Sequence, residues 1–399
     1  MLNISDKLHK LPVSPTRQLV PLADAAIARG TKVYKLNIGQ PDIDSPVEAL
    51  NALRTIEDKL FPYTNSAGLM EFRKKLVEYY KKHDIEVGVE SVIATLGGTE
   101  AVQMAMLICA NQGDEILIPE PFYANYATFA ANYDQVIVPV PSDIEHNFGL
   151  PPIEEFVRRI TPRTKAILIC NPNNPTGYLY TEEEMQRLGE LAKQYNLYLI
   201  SDEVYREFCY DGRKHISALS LKGVEENVIV VDSVSKRFSM CGVRLGNIVS
   251  RNKDVIAAAL RLAQARLSPP FLAQIAASAA YDAPQSYFDD VVAEYTSRRN
   301  CLVSELNKIE GVYSPLPQGA FYTIARFPVD DCHKFACWLL EEFSYKGATV
   351  QIAPAQGFYA TAGKGKQEAR LAYVLCKEDL MASCEILREA LKVYPGTIR

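Results

Sequence analysis

Between residues 90 and 250 the chain alternates short apolar runs with longer stretches of mixed polarity: "SVIATL", "EILIPE", "QVIVPV", "KAILIC", "LYLISD", "NVIVVD" and "NIVS". Most of these runs are continuous and do not alternate in and out, the pattern of strands covered on both faces. The segments between them are helix-like, so the pattern predicts an α/β fold with a mainly parallel, seven-stranded sheet. From about residue 290 the pattern changes to a charged helical stretch ("VVAEYTSRRNCLVSELNKIEG"), a strand-like "GAFYTIARF", an amphipathic "DCHKFACWLLEEFSYKG" and a helical terminal run. This predicts a smaller α+β domain of residues 290–399, completed by residues 1–45, beside a large domain of residues 46–289. With 399 residues, the chain exceeds the roughly 250–300 residues at which a single core stops growing.

Composition narrows the function classes. Lysine and arginine number 43 against 48 acids, a formal charge of −5, which favours neither nucleic acid nor an anionic membrane surface. No stretch approaches the roughly 18 uninterrupted apolar residues of a membrane span, and the opening "MLNISDKLHKLPVSPTRQLVPL" lacks the apolar core of a signal peptide. A cytoplasmic protein is expected. The nine cysteines lie mostly singly in apolar runs, among them Cys109, Cys170, Cys209 and Cys376, as buried thiols do in a reducing compartment. Cys332 and Cys337 flank His333 without the spacing or companion ligands of a zinc site, so no metal is expected.

In parallel sheets ligands gather at the carboxyl ends of the strands, and four of these runs end in polar chemistry. After "SVIATL" come Gly97, Gly98 and Thr99 and then the helical "AVQMAMLICA", a turn whose free N–H groups and helix dipole suit an anion. Ser233 and Ser235, after "NVIVVD", and Arg244 add hydroxyl and guanidinium donors for a phosphate, unless they are ordinary turn serines and a surface arginine. Asp202 closes "LYLIS"; it is either a helix N-cap or a carboxylate facing a protonated heterocyclic nitrogen. "NPNNPTG" fixes a stiff turn from which Asn174, together with Tyr205 of "DEVY", would hydrogen-bond a ring oxygen, a plain strand-to-helix turn being the alternative. Lys236, in "SVSK", is either solvated or an imine-forming amine. One molecule has a phosphate, a pyridine nitrogen, a phenolic oxygen and an aldehyde: pyridoxal 5′-phosphate.

With "NPNNPTG", "DEVY" and "SVSKRFSMCGVRLG" in this order, the sequence resembles the class I/II aminotransferases of fold type I, the aspartate aminotransferase superfamily. The likeness extends to "NIGQPD" (37–42), "YTNSAGLMEFR" (63–73), "PEPFYANY" (119–126), "PQGAFY" (317–322) and "ARLAYV" (369–374). The resemblance implies that Lys236 is the Schiff-base lysine and proton shuttle and Asp202 the partner of the pyridinium nitrogen, with Tyr205 and Asn174 on the ring oxygen. It further implies that Gly98, Thr99, Ser233, Ser235 and Arg244 line the phosphate pocket and that Tyr123 stacks on the ring. Arg370 would hold the substrate α-carboxylate beside a backbone N–H of Gly39, and Tyr63 would reach the phosphate of a neighbouring subunit, which implies a homodimer with shared active sites. The implied reaction moves an amino group from an L-α-amino acid to a 2-oxo acid in two half-reactions.

The side-chain specificity stays open among aspartate, aromatic and broad neutral donors. In some aspartate-using relatives a lysine stands where this chain has Thr99. Arg17, in "SPTRQLV", is either a pocket residue or half of an interdomain salt bridge. The same residues would also serve β-C–S elimination or another reaction of a Cα carbanion. A non-enzymatic regulator that senses the cofactor is the alternative of another class, for which the chain before "NIGQPD" is too short to hold a DNA-binding domain.

Overall fold

The structure, a computed structural model, describes residues 2–9 and 11–398. Strand β1 (Lys32–Lys35) precedes seven strands that fall on the seven apolar runs: β2 (Val92–Thr95), β3 (Glu115–Glu120), β4 (Val136–Pro141), β5 (Thr164–Cys170), β6 (Tyr198–Asp202), β7 (Val228–Ser233) and β8 (Gly246–Val249). They form one sheet in the order β2-β8-β7-β6-β5-β3-β4. Only β8 runs antiparallel to its neighbours, so β2, β5, β6 and β7 end at the same edge.

The two faces of this sheet explain why the runs are apolar throughout. Alternate residues of each strand enter opposite cores, as the pleat requires. Ile200, Ile229 and Val231 pack with the helices Gly98–Cys109 and Lys253–Arg266 on one face. Leu199, Val228 and Val230 pack with the helices Met70–Lys81, Glu182–Gln194 and Phe271–Ala280 on the other. The start of Glu182–Gln194 is set locally: the Thr181 hydroxyl accepts from Glu184 N at 3.2 Å while Thr181 N donates to the Glu184 carboxylate at 2.7 Å, a reciprocal capping box.

A further core gathers the ends of the chain. Strands β9 (Tyr322–Arg326), β10 (Ala348–Gln351), β11 (Ala353–Pro354) and β12 (Glu368–Ala372) follow the sheet in sequence. β1 pairs in parallel with β10, Lys32 opposite Ala348, which ties the N-terminal segment to the C-terminal third. β11, β12 and β9 form an antiparallel sheet. Leu19, Leu36, Tyr295, Phe335, Leu371 and Leu387 share this core with Tyr205 and Phe208, so it reaches the mouth of the large sheet. The helix Gln285–Leu306 runs through position 290 without a break. Among the described residues no helix is long and apolar enough to cross a membrane. One expectation fails in part: Cys109 and Cys170 are buried, but Cys209 is half-buried and Cys376 is exposed. Cys376 is the N-cap of the helix Lys377–Val393 and so sits outside its packed face.

Candidate active site

A cavity of about 710 Å³ opens at the edge where β2, β5, β6 and β7 end. Every residue expected at the site lines it except Tyr63, which is 81% exposed on the surface.

At one end lie anion donors. The helix Gly98–Cys109 has no side-chain cap at its N-terminus, which leaves its first N–H groups and dipole for a ligand. Gly97 has φ +80°, and a Cβ there would lie 2.7 Å from Arg244 Nη2, so the turn needs a glycine for backbone and guanidinium to approach. Arg244 itself is left-handed (φ 57°, ψ 51°) and donates to the Cys241 carbonyl at 3.0 Å. Such a conformation costs about 1–2 kcal/mol for a residue with a Cβ, and strain of this kind clusters at functional positions. Ser233 is engaged within the protein: its Oγ accepts from Ser235 N at 3.1 Å and lies 2.9 Å from the Leu245 carbonyl. The Ser235 hydroxyl is held against it, accepting from Ser233 Oγ at 2.8 Å.

At the other end Asp202 is 6% exposed. Tyr126 Oη donates to its Oδ2 at 2.7 Å and Val204 N to its Oδ1 at 3.3 Å. The alternative reading as a helix N-cap fails, because a turn and no helix follows β6. Burial pushes the Asp202 carboxyl up to about 6, against the pull of Tyr126 and Val204. A carboxylate so placed is short of a cation.

Between these ends stands Lys236, in the four-residue helix Val234–Arg237 after β7. Its Nζ donates to the Gly39 carbonyl at 2.8 Å and lies 3.6 Å from Cys241 Sγ. Gly39 thus turns a carbonyl toward the lysine, and a Cβ there would lie 1.7 Å from the Tyr322 hydroxyl. In "NPNNPTG" the asparagines divide their work. Asn171 accepts from Tyr180 N, and Asn173 accepts from Thr176, which build the turn. Asn174 Nδ2 donates to Tyr205 Oη at 3.2 Å, within the cavity. Tyr205 Oη is 3.1 Å from Tyr322 Oη. Arg370, on β12 and 3% exposed, donates to the Asn37 carbonyl at 2.5 Å and to Asn174 Oδ1 at 3.1 Å. Its Nε is buried without a partner, an orphaned charged donor that a ligand carboxylate would satisfy.

Next to Lys236 the chain turns inward. Arg237 is buried and donates from Nη2 to Asp232 at 2.5 Å, from Nε to Glu207 at 3.0 Å and from Nη1 to Tyr281 Oη at 2.8 Å. These three partners immobilise the backbone from which the lysine projects.

The expected interdomain salt bridge of Arg17 does not form: Arg17 lines the cavity, exposed, and has no ion-pair partner among the described residues. Sequence reasoning did not single out Tyr126, Tyr322, Asn37 or Cys241 as contributors. All four lie within stretches that carry the family likeness, yet nothing in their residue types marks them out. The donor set as a whole fits pyridoxal phosphate: uncapped helix N–H groups with a guanidinium at one end, a cation-seeking carboxylate at the other, and a lysine amine between.

The profile of the family described as aminotransferase class I and II matches residues 31–356. The aspartate aminotransferase of Pyrococcus horikoshii is 33% identical over 366 residues, covering 90% of this chain and 91% of that one. The aromatic-amino-acid aminotransferase 2 of Thermococcus litoralis is 30% identical, with 98% of each chain covered. Among solved structures, the aspartate aminotransferase of Thermus thermophilus with maleate superposes with a TM-score of 0.89 at 29% identity, over 98% of this chain and all of that one.

Proposed function

The chain belongs to the class I and II aminotransferases, and on that premise we propose that this transaminase takes its amino group from aspartate, aromatic or neutral amino acids at the cavity bounded by Lys236, Asp202 and Arg370. The observation that carries the reading is the convergence of these three groups, from the helix after β7, the end of β6 and the middle of β12, on one cavity.

The enzyme's cofactor is pyridoxal 5′-phosphate, which supplies an electron sink for the pair left when a substrate Cα loses its proton. The residues divide the remaining work. Gly98, Thr99, Ser235 and Arg244 hold the phosphate, with Ser233 fixing Ser235. Asp202, anchored by Tyr126, keeps a proton on the ring nitrogen, and the buried carboxylate gains in return the cation it lacks. Asn174 and Tyr205 bind the ring oxygen, and Tyr123 covers the ring. Arg370 grips the substrate α-carboxylate and so sets the Cα–H bond toward Lys236 Nζ. Lys236 Nζ takes that proton as general base and holds it until it is returned as general acid. The Gly39 carbonyl, within hydrogen-bond distance of Nζ, steadies the charged form.

The same reading takes residues 46–289 as the large domain and residues 1–45 with 290–399 as the small one. The core of the chain ends, separate from the two cores on the large sheet, supports this. The exposed Leu60, Phe61 and Tyr63, with Phe61 against Phe271, support a homodimer in which Tyr63 serves the neighbouring copy. The nine free thiols fit a cytoplasmic location.

Mixing the holoenzyme with single amino acids, in the absence of an oxo acid, tests the proposal. A change in cofactor absorbance with one equivalent of 2-oxo acid per site is expected from the true donors. Pyruvate with free thiol or ammonia, and no 2-oxo acid matching the donor, would overturn it.

A further inference from the structure

Among the described residues four cations line the cavity: Arg17, Lys236, Arg244 and Arg370. Three are engaged, Lys236 with Gly39, Arg244 with Cys241, and Arg370 with Asn37 and Asn174. Arg17 is not. Among the described residues Asp202 is the only acid lining the cavity, and its oxygens are taken by Tyr126 and Val204. Among the described residues, the cavity therefore offers a positive group that no acid neutralises.

The placement of Arg17 relative to Arg370 is fixed by one residue. Asn37 Nδ2 donates to the Thr16 carbonyl at 2.8 Å, and the Asn37 carbonyl accepts from Arg370 Nη2 at 2.5 Å. The turn before the helix Val20–Ala28 is closed by Arg17 N to Ser14 O at 3.2 Å and Val20 N to Arg17 O at 3.0 Å. The backbone of Arg17 is thus tied, through its neighbour Thr16, to the guanidinium of Arg370. Both guanidiniums also act on one group: burial pushes the Tyr123 phenol up to about 12, and Arg370 and Arg17 each pull it back.

We propose that Arg17 binds the side-chain carboxylate of a dicarboxylic amino acid or 2-oxo acid whose α-carboxylate is held by Arg370. The inference deepens the function proposed above and rests on its assignment of Arg370. A guanidinium presents a planar fork to a carboxylate. Because Arg17 is exposed, its side chain follows either of two chain lengths, so four- and five-carbon diacids are both accommodated. When an aromatic or neutral substrate binds, the head stays in water and the stem lies along the apolar side chain.

The test is calorimetric titration of the holoenzyme with unreactive probes, succinate and butyrate, in wild type, Arg17→Leu, Arg17→Lys and Arg370→Lys. Wild type should prefer succinate, Arg17→Leu should lower that preference about 10-fold, the size of one charge-assisted hydrogen bond, and Arg17→Lys should keep part of it. An unchanged preference in Arg17→Leu, or no preference in wild type, overturns the role of Arg17 alone. If Arg370→Lys weakens neither probe, the assignment of Arg370 falls, and this proposal with it.

Discussion

Replacing Asp202 with asparagine preserves the shape of the side chain and an oxygen to accept from Tyr126, and removes only the charge. The structure sets the scale of the effect. The carboxyl stands at about 6 against an ordinary 3.8, so ionising it in the site without a partner costs about 3 kcal/mol. A protonated ring nitrogen offsets that cost, and the carboxylate in turn keeps the ring protonated. Removing one partner of a buried ion pair costs about 3–5 kcal/mol, which predicts a fall in kcat/KM on the order of 10²–10⁴. The assay is single-turnover conversion of the cofactor absorbance by a reactive amino acid, with cofactor content and thermal midpoint measured on the same sample. Full cofactor occupancy with slow conversion is expected, since the phosphate end of the cavity is untouched. Conversion within about fivefold of wild type, a difference of about 1 kcal/mol, would refute the pairing of Asp202 with the ring.

The other predictions address separate parts of the cavity. Lys236→Ala should leave no borohydride-reducible adduct of the cofactor by mass spectrometry; an adduct still on this chain would move the imine to another lysine. Arg370→Lys should raise KM for amino acids by about 10–100-fold at unchanged cofactor content, because a point charge replaces a fork and a charge-assisted hydrogen bond is worth about 1.5–3 kcal/mol; an unaltered KM would remove Arg370 from the substrate. Glu203 is buried with Ser217, Ala218 N and Arg206 around it, and burial pushes its carboxyl up to about 7 from an ordinary 4.5. The folded state then binds more protons than the unfolded one between these values, so stability falls as pH rises through that window, by about 3 kcal/mol from this group. Relative to the non-titrating Glu203→Gln, the wild-type urea midpoint should drop between pH 4.5 and 8, and a pH-independent difference would contradict it.

The central sheet was legible because its strands are buried on both faces: a run such as "KAILIC" has no polar side to blur it, and β5 lies on it. The chemistry at the strand ends was legible for a related reason, since Asp202 and Lys236 follow such runs at once. Pairing across the chain was not. Nothing local in "KVYK" indicates that β1 lies along β10, because the contact depends on the whole chain between them being folded. Tyr126 and Tyr322 were hidden by type: a tyrosine that anchors a carboxylate and one that fills a core read alike, and the chain has 22. The interior charges were hidden as well. Arg237 and Asp232 are buried in mutual contact, and nothing local indicates it, because a charge in sequence carries no mark of its partner.

Lys236 and Arg237 are adjacent cations in a single helical turn, and they face opposite ways: the amine enters the cavity while the guanidinium is held by Asp232, Glu207 and Tyr281. Exchanging their order would leave composition, net charge and helix propensity nearly unaltered. The exchange would nonetheless send a planar group that does not give up its proton into the cavity, and would leave the interior partners facing a point charge without the geometry of a fork. This short stretch therefore carries its information in order alone. Variants that shuffle or slip it by one residue would lose chemistry and interior pairing together, while variants at the cavity rim, such as position 17, change what is bound and leave both in place.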